Sequence, residues 1–430
     1  MKPENDLSPV SLAERLNATN GRPSGFDYLR LGLAVSVVIV HSVRTTYGVD
    51  SELWTTPLRA FVRAIIPMFF ALSGFLVAGS LERSKTTLTF IGLRLIRIYP
   101  ALAVEVALSA FLIGMALTAF PLATYLQDPL FLKYLLNVIG DIHYNLPGVF
   151  ENNPVPKIVN AQLWTVPIEL LCYMALTVLV LLGGVQRKIL IPLAALGLGL
   201  AHLILRLHTD HWQLPNPGGV FGDTLLVVCF LAGVSLYLFR DKIVWSSRMF
   251  AGALIASIPL LWFVPFGDYP GVLTITYVTV YLGLTNVRRL SLIKGADYSY
   301  GMYLYGYVIQ QLFVYLAAPR FWWVNVLVCV PASALFAAFS WHFIEKPAQN
   351  LRKPLSAAER HYLALGGYAA HRPPVRAGAL NSLLAGLVFV VALYIAGRLE
   401  PEGLLWLAAS QVVVVALAYV APAPGVIAGF

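Results

Sequence analysis

The sequence has few charged residues. Only 12% of its 430 residues are Asp, Glu, Lys or Arg, whereas 58% are apolar. Soluble globular domains carry about 25% charged residues, so this composition excludes an ordinary soluble protein. Apolar stretches of about 20 residues, long enough to cross a bilayer as a helix, recur from residue 27 to residue 421. The sequence therefore predicts an all-α fold, a polytopic transmembrane helix bundle.

Cysteine is also scarce. The three cysteines, Cys172, Cys229 and Cys329, all fall inside predicted membrane spans, where a free cysteine behaves as a small apolar residue. They indicate neither a disulfide framework nor a metal site, and we expect no metal cofactor.

The sequence lacks a nucleic-acid-binding pattern as well, although its net charge is +9. Lys and Arg form no basic stripe with interleaved aromatic residues, and they lie in short loops. When the N-terminus is placed in the cytoplasm, nearly three-quarters of the 30 Lys and Arg residues fall on the inner side, as the positive-inside rule requires. We therefore expect both termini in the cytoplasm and no nucleic-acid partner.

No cleavable signal peptide is indicated. The first 25 residues are polar, and the apolar segment after them carries Asp27, Arg30 and His41 and has no small-residue cleavage site. We therefore predict that this segment is the first of twelve membrane-spanning helices. The predicted spans are 26–46, 58–80, 99–120, 160–182, 189–206, 218–239, 248–265, 270–286, 297–317, 323–343, 379–397 and 403–421.

Two long loops divide this plan into units. The outer segment 121–159 contains an amphipathic stretch, residues 131–142, that could lie on the outer membrane face and receive a glycan. The inner segment is rich in Pro and basic residues, and it predicts a linker. The resulting units are a cytoplasmic tail (1–25), a ten-helix core (26–347), a cytoplasmic linker (348–378), two additional C-terminal helices (379–421) and a tail (422–430).

The first predicted span places three ionisable residues on one face. Eleven residues separate Arg30 from His41, which brings the two within about 20° of the same direction on a helix, and Asp27 within about 40°. Interfacial charges and a hydrogen-bonded core histidine would also give this pattern. However, ionisable groups inside a membrane are costly and usually mark a site, so we interpret His41 as a general base for a hydroxyl group.

Two further motifs follow on the chain. Ser73 stands beside a glycine at the end of the second span, where small residues allow close packing or ligand approach, and a nucleophilic role for it is the less favoured alternative. Arg94 and Arg97 share a helix face at the predicted inner membrane surface. Such a guanidinium pair suits phosphate groups, although it could also be a topological anchor.

Glu169 is the single carboxylate of the fourth predicted span. We place it in the outer half of the membrane, at a depth similar to that of His41. A buried glutamate needs a partner or a raised pKa, and either would suit it to orient His41 or to carry a proton. A structural hydrogen bond to a neighbouring helix is the alternative.

These motifs, in this order, resemble the acyltransferase-3 family of bacterial membrane O-acyltransferases over residues 26–347. The matching features are Asp27 and Arg30 with His41, Phe69 to Leu76 including Ser73, Arg94 and Arg97 with Tyr99 and Pro100, Trp164 with Glu169, Ser299 and Tyr300 with Tyr303 and Leu304, and Glu345 with Lys346 and Pro347. Two departures stand out. Many relatives have a histidine where this chain has Gly306, and we expect a stand-alone form without a soluble hydrolase-like domain after the two C-terminal helices.

The resemblance implies a bacterial inner-membrane enzyme with acyl-CoA, most often acetyl-CoA, as its cytoplasmic donor. The acceptor it implies is a hydroxyl of a surface polysaccharide or lipid-linked glycan, with membrane lipids and polysaccharide-assembly proteins as further partners. His41 and Glu169 are then the expected catalytic residues. The expected donor-binding residues are Arg94, Arg97 and Arg30, and the supporting residues are Asp27, Ser73, Trp164, Tyr300 and Tyr303.

A function from another class competes with this one. In a proton-coupled transporter or flippase of a lipid-linked sugar, His41 and Glu169 would form a proton relay and no acyl-CoA would be consumed. That alternative gives no reason for the Arg94 and Arg97 pair. A glycan polymerase would require a larger outer loop rich in arginine, and the segment 121–159 contains none.

Overall fold

A computed structural model describes residues 10–48, 58–181, 183–209, 221–290 and 295–364. The described chain is all-helical, as the composition predicts. The two C-terminal helices predicted at 379–421, the tail at 422–430 and residues 365–378 of the predicted linker lie outside the described residues.

Fourteen helices are numbered here in chain order for the described residues. They are α1 (Leu12–Asn17), α2 (Gly25–Tyr47), α3 (Arg59–Arg83), α4 (Thr87–Ala107), α5 (Leu122–Gln127), α6 (Pro129–Leu135), α7 (Thr165–Leu181), α8 (Leu190–Thr209), α9 (Asp223–Leu238), α10 (Ser247–Trp262), α11 (Asp268–Gly283), α12 (Ser299–Ala317), α13 (Trp322–Ser340) and α14 (Arg352–Ala364). A π-helical turn, Leu108–Gly114, continues α4, and another, Trp341–Glu345, follows α13.

Each of the first ten predicted spans coincides with a helix of the bundle, from α2 to α4 and from α7 to α13. Six of the described helical segments are long and apolar enough to cross a membrane. They are Gly25–Tyr47, Arg59–Arg83, Thr87–Leu117, Ala161–Leu181, Leu190–His208 and Trp322–Ala364. The chain is therefore a helical membrane protein.

One predicted boundary is wrong. The third span was expected to begin at residue 99, but α4 begins at Thr87, where the side chain of Thr86 accepts a hydrogen bond from the backbone N–H of Thr89. Hydropathy placed the boundary too late because it scores arginine as an interruption of an apolar segment. Arg94 and Arg97 lie inside the helix, where other side chains bind their guanidinium groups.

The centre of the bundle is a very close contact between α3 and α9. A Cβ atom on Gly74 would lie 1.9 Å from the backbone oxygen of Phe230, and one on Gly233 would lie 2.1 Å from that of Ala71. Both distances are far below van der Waals contact, so these two positions require glycine. This explains the small residues after Ser73 by packing, and it places Ser73 itself beside the helix crossing.

The segment 121–159, which the sequence predicts on the outer side, folds onto the bundle. It forms α5, α6 and a 3-10 turn, and Tyr125 and Tyr134 are fully buried. Its opposite face exposes a row of large apolar side chains: Leu122, Leu126, Leu130, Leu132, Leu136 and Ile139. The predicted amphipathic stretch is thus formed by two short helical pieces, and its apolar face is available to the bilayer interface.

The inner segment after α13 is helical where the structure describes it. The carboxylate of Glu359 on α14 accepts hydrogen bonds from the backbone N–H of Thr86 at 2.9 Å and from its hydroxyl at 3.0 Å. Leu355 packs against Gly92. The first part of the predicted linker therefore binds the N-terminal end of α4, which carries both arginines of the sequence motif.

Candidate active site

A cavity between α2, α3, α4, α7 and α12 brings most of the predicted site residues together. Its empty volume, including its open mouth, is about 990 Å³. We call it the arginine cavity. The predicted site residues on its wall are Arg30, Ser73, Arg94, Arg97, Glu169, Tyr300 and Tyr303.

Arg97 is held by two carboxylates at the predicted inner end of this cavity. Its guanidinium donates to Asp297 at 2.8 Å and to Glu345 at 2.9 Å, and Arg30 donates to the same Asp297 oxygen at 2.8 Å. We call these four residues the inner ion-pair cluster. It joins α2, α4, the residues before α12 and the π-helical turn after α13.

The charge state of this cluster follows from its geometry. Asp297 lies 2.8 Å from guanidinium nitrogens of both Arg97 and Arg30, and two such cations favour the ionised form of a carboxyl group. Asp297 also accepts a hydrogen bond from the Ser299 hydroxyl at 2.5 Å. Asp297 therefore acts as a carboxylate that holds Arg97 and Arg30 together.

Arg94 has a different environment one helical turn away. Its guanidinium donates to the hydroxyl of Ser80 at 3.0 Å and lies 6.0 Å from the ring centroid of Tyr173. Within the part of the chain that the structure describes, no carboxylate forms an ion pair with it, and its Nε is buried without a partner. Arg94 is thus a cation on the cavity wall whose charge is not neutralised by direct pairing.

Glu169 lies on the cavity wall and accepts a hydrogen bond from the hydroxyl of Tyr173, one turn further along α7. It faces the side of the molecule that holds Arg94 and Arg97. No ion pair or hydrogen bond joins Glu169 to His41 among the described residues. The predicted assistance of His41 by Glu169 therefore finds no direct contact in the structure.

His41 is half-buried and lies outside the wall of the arginine cavity. Its ring meets the ring of Tyr307 edge-on, with centroids 5.1 Å apart. Among the described residues neither ring nitrogen has a hydrogen-bond partner, and Nδ1 is buried. Since α2 ends at Tyr47, His41 lies about 9 Å before the end of its helix.

A short 3-10 turn, Ala161–Trp164, contacts α12 both at the cavity wall and near the residue that touches His41. The hydroxyl of Tyr303 lies 2.8 Å from that of Thr165 and donates to the backbone oxygen of Gln162 at 3.1 Å. Both Thr165 and Tyr303 line the cavity. The side chain of Gln162 lies near Gly306, next to the residue that contacts His41.

The remaining predicted residues have supporting positions. Tyr300 donates its hydroxyl to the backbone oxygen of Ile98 at 3.0 Å, which fixes α12 to α4. Asp27 pairs with Arg289 at 3.1 Å, at the beginning of α2. Trp164 is partly buried and packs against the main apolar core. These contacts place Asp27 and Trp164 outside the arginine cavity.

The structure also gives a reason why this chain has Gly306 where many relatives have a histidine. A Cβ atom at this position would lie 2.9 Å from Val38 and 3.7 Å from Nε2 of Gln162. Val38 and Gln162 therefore take up the space into which a larger side chain at position 306 would extend.

Sequence reasoning missed three polar residues around the site. They are Asp297, Glu345 and Gln162, to which the sequence motifs assign no role in the site. Asp297 and Glu345 each lie near an arginine that is distant in sequence, and hydropathy carries no information on such pairs. Their common signal is a carboxylate at the predicted inner end of a span, opposite a basic residue at the same depth.

Comparison with known proteins bears on what this site does. A family model described as "Acyltransferase domain" matches residues 24–344. Nodulation protein 10 of Rhizobium leguminosarum bv. viciae is 27% identical over 373 residues, which are 79% of this chain and 96% of that protein. The O-acetyl transferase of Shigella phage Sf6 is 24% identical over 327 residues, which are 75% of this chain and 94% of that protein. No solved structure matches the chain.

Proposed function

Since this chain belongs to the acyltransferase family and is an O-acetyltransferase-like membrane enzyme, we propose that it transfers an acetyl group from cytoplasmic acetyl-CoA to a glycan. The acceptor is a hydroxyl of a surface polysaccharide or of a lipid-linked sugar, the membrane is the bacterial inner membrane, and both termini are cytoplasmic. The observation that carries this proposal is the environment of Arg94. A guanidinium without a carboxylate partner, on the wall of a mostly apolar cavity, favours an anionic ligand.

The donor enters from the side of the inner ion-pair cluster. A second cavity, with an empty volume of about 700 Å³, shares Leu76 with the arginine cavity and is lined by Arg83 and Arg240. The two cavities are neighbours on α3 and both carry basic groups, which suits the phosphates of coenzyme A. The long acyl-bearing arm then extends past Ser73 towards Thr165 and Tyr303.

His41 acts at the far end of this path. The acceptor hydroxyl gives its proton to His41 while its oxygen attacks the thioester carbonyl carbon. A carbon–oxygen bond forms, the carbon–sulfur bond breaks, and the departing thiolate takes the proton from His41. The products are the acetyl ester and free coenzyme A. Glu169 lies on the part of the cavity wall that also holds the two arginines, where it accepts a hydrogen bond from the Tyr173 hydroxyl.

The test is acetyl transfer in inside-out membrane vesicles that contain the full-length protein, with labelled acetyl-CoA outside. We expect label in the host polysaccharide. The substitution His41→Ala should lower transfer by about 100-fold or more, because general base catalysis contributes about that factor, without loss of folded protein.

His342→Ala is the matched control, since His342 is exposed and lies beyond the end of α13. It should retain full transfer. Full activity of His41→Ala, or movement of a lipid-linked sugar without any consumption of acetyl-CoA, would contradict the proposed function.

A further inference from the structure

Gln162 carries a buried hydrogen-bond donor that the proposed reaction does not yet use. The residue is 1% exposed, and its Nε2 has no partner among the described residues. Its Oε1 faces the backbone N–H of Tyr307 at 3.4 Å. With Oε1 placed at this N–H, Nε2 is the end of the amide that can donate.

A buried amide donor without a partner costs about 1–3 kcal/mol, so such groups call for a physical explanation. For the Nε2 donor of Gln162, the explanation lies in where the residue is placed. The backbone oxygen of Gln162 binds the hydroxyl of Tyr303 on the arginine cavity. Its side chain reaches Gly306, which precedes the tyrosine in contact with His41.

His41 lies close to the same point. Val38 is within 2.9 Å of a Cβ atom built on Gly306, and Val38 is one turn before His41 on α2. Two other polar atoms around this contact are also buried without partners in the described chain: Nδ1 of His41 and the hydroxyl of Tyr307. The 3-10 turn, α2 and α12 thus each carry a buried polar group without a partner close to the contact of His41 with Tyr307.

The chemistry of acyl transfer requires a donor at this place. When the acceptor oxygen has bonded to the carbonyl carbon and the carbon–sulfur bond is still intact, the former carbonyl oxygen carries a negative charge. A hydrogen-bond donor fixed in a water-poor site stabilises that oxyanion without having to reorganise. Gln162 links the two places involved: its backbone oxygen binds the Tyr303 hydroxyl on the cavity wall, and its side chain reaches Gly306 beside the contact of Tyr307 with His41.

We propose that Gln162 is a catalytic residue that donates a hydrogen bond from Nε2 to the thioester carbonyl oxygen as this oxygen becomes an oxyanion. The inference rests on the proposed function, since it needs an acyl thioester beside His41. It assigns Gln162 a role in the transition state, whereas Arg94 binds the donor.

The test compares two variants of the full-length protein in vesicles with acetyl-CoA and polysaccharide extracted from a host strain that lacks this enzyme. Gln162→Met keeps the size of the side chain and removes the donor. Gln162→Glu keeps an oxygen for the Tyr307 N–H and also removes the donor. We expect kcat to fall about 100- to 1,000-fold in both, with the KM for acetyl-CoA changed less than about threefold.

Gln311→Met is the matched control. Gln311 is a buried glutamine on α12 whose amide nitrogen donates to the backbone oxygens of Val155 and Ile158. Its loss should lower the thermal stability and leave kcat of the folded fraction nearly unchanged. An equal fall of kcat in Gln311→Met would overturn the inference.

The remaining outcomes separate the two proposals. If the unsubstituted protein transfers acetyl groups and both Gln162 variants keep kcat within about threefold, the role of Gln162 is refuted and the proposed function stands. A rise in KM with unchanged kcat also refutes it, because the residue would then act in donor binding. If the unsubstituted protein transfers no acetyl group from acetyl-CoA, the proposed function itself fails.

Discussion

Arg94 and Arg97 occupy the same face of α4, but their partners differ. Arg97 is bound by two carboxylates of the inner ion-pair cluster, whereas Arg94 has only the Ser80 hydroxyl as a hydrogen-bond partner among the described residues. A guanidinium that is already paired contributes mainly to holding helices together. One that is unpaired can bind an anionic ligand at a lower cost, since no existing ion pair has to break.

This difference predicts opposite effects of two similar substitutions. Arg94→Gln should raise the KM for acetyl-CoA about 10- to 100-fold, the loss expected for a charge-assisted hydrogen bond to phosphate, with little change in thermal stability. Arg97→Gln should lower the thermal stability more, because Asp297 and Glu345 would lose their shared cation. Steady-state kinetics and thermal unfolding in detergent measure the two effects.

Asp297→Asn provides the control for the substitutions of Arg94 and Arg97. It removes one carboxylate from Arg97 and leaves Arg94 unchanged, so it should reproduce the stability loss of Arg97→Gln in part and spare donor binding near Arg94. A KM for acetyl-CoA that rises equally in all three variants would show that the arginines act as one unit.

At the scale of the helices, the contact between α3 and α9 determines the shape of the bundle beside Ser73. The two glycines allow the backbones to touch, and the helix crossing lies next to the wall of the arginine cavity. Overpacking at such a contact costs about 1–3 kcal/mol, since the added methyl group meets backbone and cannot be accommodated by a rotamer change.

Gly74→Ala should therefore lower the free energy of unfolding by about 1–3 kcal/mol and reduce acetyl transfer by displacing Ser73. Gly252→Ala on α10 is the matched control, because a Cβ atom there would meet nothing within 4 Å. That substitution should be neutral or slightly stabilising. Thermal unfolding of the two variants in the same detergent measures this difference. Equal stability of the two variants would contradict the proposed close contact of Gly74 with α9.

The helices also show how far sequence reasoning extends. Hydropathy predicted the first ten helices of the bundle because each buries its backbone polar groups internally and differs from the loops in composition. It missed the beginning of α4, where arginines are bound by partners distant in sequence. The π-helical turn at Trp341–Glu345, which places Glu345 against Arg97, has no hydropathy signal either.

At the scale of the whole molecule, the motif order predicted most of the cavity wall. Arg94, Glu169, Tyr300 and Tyr303 meet because helices of similar depth place them at similar heights. Their lateral arrangement could not be predicted from single spans. Periodicity gives the depth of His41 and Glu169 but not which neighbour each helix faces, and so the structure places His41 beside Tyr307 rather than beside Glu169.

The orientation of the molecule in the membrane leads to a whole-molecule prediction. Glu151 in the outer segment and Asn350 after α13 are both exposed. We expect a membrane-impermeant thiol reagent to label Glu151→Cys in intact spheroplasts, and Asn350→Cys only in inside-out vesicles. The native cysteines are fully buried, so each variant can be labelled without removing them. Labelling of both variants from one side would refute the proposed topology.

The hydrogen bonds between Glu359 and Thr86 bear on where the catalytic unit ends. The family match stops at residue 344, and the motifs of the sequence end at Pro347. A protein shortened at either point would keep every side chain on the wall of the arginine cavity, but it would leave Thr86, the N-cap of α4, without the carboxylate that now binds its backbone N–H and its hydroxyl. The helix that carries both arginines is thus held from outside the recognised domain, and a shortened protein meant to keep this contact must include Glu359.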